Sequence, residues 1–210
     1  MERREFLHYL GLAVLGQTVL PASSALAAWQ CLPSDNPLLR TCQVGLRNTV
    51  PLAMVQSDQH LSQWCWAACI EMVFGYHGFV LPQEEIVRQN LGAIMNFPAT
   101  IPLIVANLNR PWTDMYGRRF QSRGDSVTAN LANAMNDLAR DMPLIIAVKT
   151  PYENHAMVLV SLTYTVDDFG RVYGFHSAVV RDPWPGNGFR VLTPDEWYGI
   201  YFFVRIQLLV

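Results

Sequence analysis

The peptide Gln59-His60-Leu61-Ser62-Gln63-Trp64-Cys65-Trp66-Ala67-Ala68 is where this 210-residue chain could do chemistry. Cys65 stands where a polar loop enters an apolar run of helical length. The first N–H groups of a helix have no intrahelical partner, and the helix dipole is positive there, so that position favours an anion. The thiolate is the reactive form of cysteine, and a helix start is a place where cysteine becomes a nucleophile. Ala67 and Ala68 are small enough to let a second element come close. A buried, inert thiol is the alternative reading of the same peptide, since free cysteines are often core residues. Cys69 lies one helical turn further on and faces the core in either reading. His60 and His77 have no partners at metal-ligand spacing, so no metal and no cofactor are expected.

Gln, five residues, Cys-Trp-Ala-Ala at a helix start resembles the papain-like cysteine proteases. It is most similar to their compact bacterial branch of staphopains, secreted effector proteases and bacteriocin-processing domains. That family orders its site as Gln, Cys, His, then Asn or Asp. Gln59, Cys65, His155 and Asp182 occur in that order. Asn154-His155-Ala156-Met157-Val158 resembles the family's histidine at the head of an apolar strand. Arg181-Asp182-Pro183-Trp184 resembles the segment carrying the third group, with Trp184 placed to shield the histidine contact. The resemblance covers roughly residues 51–200. It implies that His155 takes the Cys65 proton and that Asp182 fixes the imidazole tautomer. It implies that the Gln59 amide and the Cys65 N–H hold the oxyanion, and that a thioester acyl-enzyme forms on a peptide or protein substrate.

Each position has a rival. Gln56 and Gln63 compete with Gln59 but lack the spacing to Cys65. His176 competes with His155 yet falls mid-strand beyond a turn. Asn187 competes with Asp182, which could also merely open a proline turn. Other functions stay open on the same residues. Acyl transfer, deamidation or other amide hydrolysis uses the same thiol and base. An exported binding or effector module with a degenerate site needs no such ordered set. A Cys65–Cys69 redox pair has the wrong spacing.

The elements that must carry these residues read as α+β, helices first and an antiparallel sheet second, the nucleophile helix packing on the sheet. Trp64 to about Tyr76 is a helix closing at Gly78. Pro82-Gln83-Glu84-Glu85 opens a second, with Gly92 after its end. A third begins near Thr100 and ends before Pro111. Asp125-Ser126 caps a fourth, with Leu131, Met135 and Leu138 on one face. Strands follow over Leu144–Val148, His155–Val166, Arg171–Val180 and Tyr201–Leu209. Pro183–Gly188 reads as a loop and Pro194–Trp197 as a short helical turn.

Half the residues are hydrophobic (51%) and 15% are charged, which suits one globular unit with a sizeable core. The net charge of −2, without basic runs, argues against a nucleic-acid partner. Residues 1–27 read as an export signal: Arg3-Arg4, an apolar stretch from Phe6 to about Leu20, then Ala25-Leu26-Ala27 as a cleavage site. Arg3-Arg4-Glu5-Phe6-Leu7 resembles the twin-arginine signal; the general secretory route is the other reading. Residues 28–50 read as an N-terminal strap and 51–210 as the hydrolase domain. The stretch is too short and polar to suggest stable membrane insertion after cleavage. Export implies a periplasmic or secreted location, where disulfides persist. Cys31 and Cys42 flank a polar, proline-containing loop and are paired in this reading, two free thiols being the alternative. Oligomeric state and substrate are not legible.

Overall fold

The computed structural model describes residues 29–54, 58–149 and 154–209. The expected export signal and its cleavage site at 25–27 lie outside these residues. The first described elements are strands β1 (Trp29–Pro33) and β2 (Leu39–Gly45), then helices α1 (Val50–Met54), α2 (Cys65–Tyr76), α3 (Gln83–Leu91) and α4 (Ile101–Leu108). Strands β3 (Arg110–Thr113) and β4 (Arg119–Thr128), helix α5 (Leu131–Ala139) and strands β5 (Leu144–Lys149) and β6 (Asn154–Asp167) follow. Strands β7 (Val172–Asp182) and β8 (Gly188–Val191), helix α6 (Pro194–Tyr198) and strand β9 (Ile200–Leu209) complete them. The nine strands form one sheet in the order β1-β2-β6-β5-β9-β4-β3, with β7 paired to β6 and to β8. Every pairing is antiparallel, so the architecture is α+β.

Helix α2 is buried on nearly all sides, from Trp66 to Phe74. Ala67 and Ala68 are fully buried, and the helix packs on β6. Phe74 meets Trp112 and Phe120 edge-on, at centroid distances of 5.4 and 5.0 Å, which ties its far end to the β3–β4 hairpin. Gly78 follows with φ 85°, a left-handed turn that suits glycine. Helix α4 lies so close to β4 that a Cβ on Gly124 would sit 2.7 Å from the Leu108 Cβ. That approach holds the last turn of α4 against β4.

Three expectations are corrected. Asp125 and Ser126 do not cap a helix; they lie in β4, where Asp125 is directly opposite Arg205 of β9 and pairs with it. Helix α5 is capped instead by Asn130, whose Oδ1 accepts from Asn133 N at 2.8 Å. The polar run Arg119–Thr128 hid a strand because only Phe120 and Ser122 of it are buried. Residues 28–50 hold the β1–β2 hairpin, bonded into the sheet from Leu39↔Asp167 to Gly45↔Ser161, rather than a strap without core elements. Cys42 and Val44 are buried there, and Cys31–Cys42 is a disulfide joining directly opposed residues of that hairpin. Strands also precede and interrupt the helices, so the order is not helices first and sheet second. Among the described residues, no helix is long and apolar enough to cross a membrane.

Candidate active site

Cys65 is the first residue of α2. Its predecessor Trp64 caps the helix without a side-chain hydrogen bond, so the first turn keeps open N–H groups beside the thiol. His155 is the second residue of β6, opposite Val148 of β5. Asp182 is the last residue of β7. Because β6 and β7 are antiparallel neighbours, the end of β7 returns to the start of β6 and the two side chains meet.

His155 Nε2 lies 2.8 Å from Asp182 Oδ1. Cys65 lines the same cavity edge as His155, and with Nε2 engaged by Asp182 the ring nitrogen left to serve the thiol is Nδ1. Burial alone would lower the His155 pKa. The hydrogen bonds to Asp182 and Cys65 outweigh it and push the imidazole up to about 9. Burial likewise opposes the Asp182 charge, but the donors around it win and hold the carboxyl well below the usual carboxylate range. Those donors are four. Oδ1 accepts from His155 and from Trp184 N at 2.8 Å, while Oδ2 accepts from Asn187 Nδ2 at 2.9 Å and Arg190 Nε at 2.7 Å. The Trp184 ring stands edge-on to His155, with centroids 6.3 Å apart.

Arg190 was not anticipated. It turns its remaining guanidinium N–H groups to Glu196, at 2.6 and 2.9 Å, and Glu196 closes a capping box with Thr193 at the start of α6. A lone arginine in an alternating four-residue strand carries no sequence signal for this role. Asn187, weighed as a rival third group, is a donor to Asp182 instead. His176 is exposed on β7 and bonds Thr165. Cys69 is fully buried, and burial pushes its thiol pKa up.

Gln59 is buried, and its N–H donates to Pro183 O at 2.7 Å, beside the Asp182 turn. Its Nε2 donates to Leu61 O at 3.2 Å and Ser62 O at 2.9 Å. Its Oε1 is buried with no hydrogen-bond partner among the described residues. The amide therefore rests on the turn that leads into Cys65. Gln83 of α3 grips both neighbours of Gln59, accepting from His60 N and donating to Asp58 O, each at 3.0 Å.

A cavity of about 520 Å³ opens beside Cys65 and His155. Its walls come from the start of α4 (Ile101, Ile104), from Ala147 of β5, from Ala156 of β6, and from Tyr201 and Phe202 of β9. Among the described residues, no Asp, Glu, Lys or Arg lines it. It is a concave, mostly apolar space with a thiol and an imidazole at one edge, the form of a small-ligand or peptide site.

No protein-family model matches this chain, and no curated protein matches it. Among solved structures it is similar to the peptidase domain of Streptococcus ComA, a bi-functional ABC transporter involved in a quorum-sensing pathway. The identity is 15% and the TM-score 0.49, over 71% of this chain and 93% of that one. A likeness at that level does not assign an activity; the site's own geometry has to.

Proposed function

We propose that this chain is an exported cysteine peptidase of papain-like kind, acting through Cys65, His155 and Asp182. One observation carries the reading: an imidazole bonded to a buried carboxylate shares the edge of an apolar cavity with a cysteine at a helix start. A structural histidine does not need a cysteine at the same cavity edge and a four-donor carboxylate on its ring.

The chemical steps follow from that arrangement. An imidazole with its pKa near 9 is protonated at neutral pH, and an imidazolium beside a cysteine favours the thiolate as the attacking form. The thiolate adds to a carbonyl carbon seated in the cavity. The Cys65 N–H and the Gln59 amide hold the negative oxygen, Gln59 exchanging its longer bond, to Leu61 O, for the oxyanion. His155 returns its proton to the leaving nitrogen, and a thioester remains. Water, deprotonated by His155, adds to the thioester and releases the acid. Asp182 keeps one ring orientation throughout, and Trp184 stands against the edge of that ring.

The test is a pair of substitutions. Cys65→Ser should fold normally and lose nearly all turnover on a peptide library read by mass spectrometry, because a hydroxyl is hardly ionised at neutral pH. Cys69→Ser should keep its turnover. Activity in Cys65→Ser together with inactivity in Cys69→Ser sinks the assignment. A periplasmic or secreted site of action rests on the residues 1–27 and on the Cys31–Cys42 disulfide, which is at home in an oxidising compartment.

A further inference from the structure

The oxyanion site of this reading hangs on a four-residue turn. Trp64 N donates to Leu61 O at 3.0 Å, which makes Leu61-Ser62-Gln63-Trp64 a β-turn. Two carbonyls of that turn, Leu61 O and Ser62 O, seat the Gln59 amide, and Cys65 follows its last residue. Neither of its two middle residues is held by a turn partner. Both are held from outside by one side chain: Asn96 Oδ1 accepts from Gln63 N at 2.9 Å, and Asn96 Nδ2 donates to Ser62 Oγ at 3.0 Å.

Asn96 belongs to a segment without helix or strand, between Gly92 and Thr100. The backbone on each side of it is fixed separately. Trp64 Nε1 donates to Met95 O at 2.9 Å, and Trp66 Nε1 donates to Phe97 O at 3.2 Å. The two buried indoles thus set where the Asn96 side chain stands, and beyond it Pro98 and Ala99 pass into the cavity wall. The carbonyls on either side of Asn96 are held by indoles, one of them from the turn's own last residue Trp64, whereas the two middle residues of the turn are held by the Asn96 amide.

We propose that Asn96 is a positioning residue for the oxyanion site, acting through the Ser62–Gln63 turn on the Gln59 amide; this rests on the hydrolase reading above. It touches no substrate. The arrangement gives a signature: Asn96→Ala should change kcat far more than KM, because Ser62 and Gln63 are a small part of the cavity wall and the carbonyls of Met95 and Phe97 stay on their indoles. Asn96 is exposed, so Asn96→Ala removes two surface hydrogen bonds and leaves the core intact.

The experiment uses the full chain and two thiol reagents. An N-acetyl-dileucyl aldehyde adds the thiolate to its carbonyl carbon, and the resulting hemithioacetal oxygen takes the imidazolium proton or sits as the oxyanion, so its affinity reads the oxyanion site. Iodoacetamide is attacked at its methylene carbon, with iodide leaving, and forms no oxyanion. Asn96→Ala should weaken the aldehyde roughly tenfold and lower kcat roughly tenfold, a fraction of the about 100-fold or more that a direct oxyanion donor is worth. KM and the iodoacetamide rate should stay within twofold of the parent. Ser62→Ala should have a smaller effect, and Asn96→Ala with Ser62→Ala should be no worse than Asn96→Ala alone, because both remove parts of one clamp. Equal aldehyde affinity in parent and Asn96→Ala overturns the clamp, as does a loss that appears equally in the iodoacetamide rate. If the parent itself forms no aldehyde adduct while iodoacetamide labels Cys65, the hydrolase reading falls and takes the clamp with it.

Discussion

Asp182→Asn separates the charge of the third group from its shape. The two side chains are nearly the same size, but Asp182 receives four donors and an amide oxygen can receive only half of that set. With the amide oxygen toward His155 and Trp184 N, the new NH2 faces Asn187 and Arg190. Asn187 can turn its own amide and accept. Arg190 cannot accept, and keeps Glu196 and the Met157 sulfur. One charge-assisted hydrogen bond is then lost, about 1.5–3 kcal/mol of stability. The effect on His155 is separate. The imidazole is held from an ordinary 6.5 up to about 9, roughly 3 kcal/mol at about 1.4 kcal/mol per pKa unit, shared between Asp182 and Cys65. Losing about half of that costs roughly 10- to 30-fold in rate. Because the folded pKa is raised, the stability that His155 adds is complete below about 6.5 and disappears as pH rises through about 9. Activity requiring the imidazolium should fail over the same alkaline range. In Asp182→Asn the alkaline limb of kcat/KM should move down by about one pH unit, with activity well above that of Cys65→Ser. A variant with kcat/KM within threefold of the parent and an alkaline limb still near 9 refutes the role given to the Asp182 charge.

Changing Cys31 and Cys42 together to Ser opens a link spanning 11 residues and should cost about 3 kcal/mol by chain entropy, seen as a lower Tm. The same change should leave the iodoacetamide rate at Cys65 unaltered, since β2 pairs with residues 161–167 of β6, away from His155 at the start of that strand. With Arg3 and Arg4 both changed to Lys, a twin-arginine substrate should remain in the cytoplasm; continued export by cell fractionation assigns the general secretory route. Mass-spectrometric sequencing of the exported protein should find its N-terminus near Ala28, and a chain beginning at Met1 excludes cleavage.

The nucleophile helix was legible because Trp64–Tyr76 is an apolar run of the right length with a glycine stop, and long runs are the most readable signal. Strand β6 was legible for the same reason, being nearly continuous in buried Val, Leu and Tyr. The β1–β2 hairpin was not, because every residue of β1 is exposed and no alternation marks it. Strand β4 was missed because its charges are satisfied across strands, where local pattern cannot see them. Around the site, the order of Gln59, Cys65, His155 and Asp182 could be read along the chain. Arg190 and Asn96 could not: each acts through a contact that exists only once a hairpin or a loop has folded back. The Gln59 amide was expected to serve the oxyanion; its seat on the turn carbonyls is a detail that no spacing rule anticipates.

The side chains that lead away from Cys65 alternate in sign. With the thiol ionised, the row runs negative, positive, negative, positive, negative through Cys65, His155, Asp182, Arg190 and Glu196. Its inner members are sheltered, the Asp182 side chain being 1% exposed and that of His155 12%, while Arg190 and Glu196 at the outer end are 26% and 20% exposed. Dissolved ions screen exposed charges over about 8 Å at physiological strength and reach sheltered pairs far less. Salt therefore weakens the outer link before the inner His155–Asp182 link. A row wired in this way resists changes of ionic strength at its sheltered end more than at its outer end.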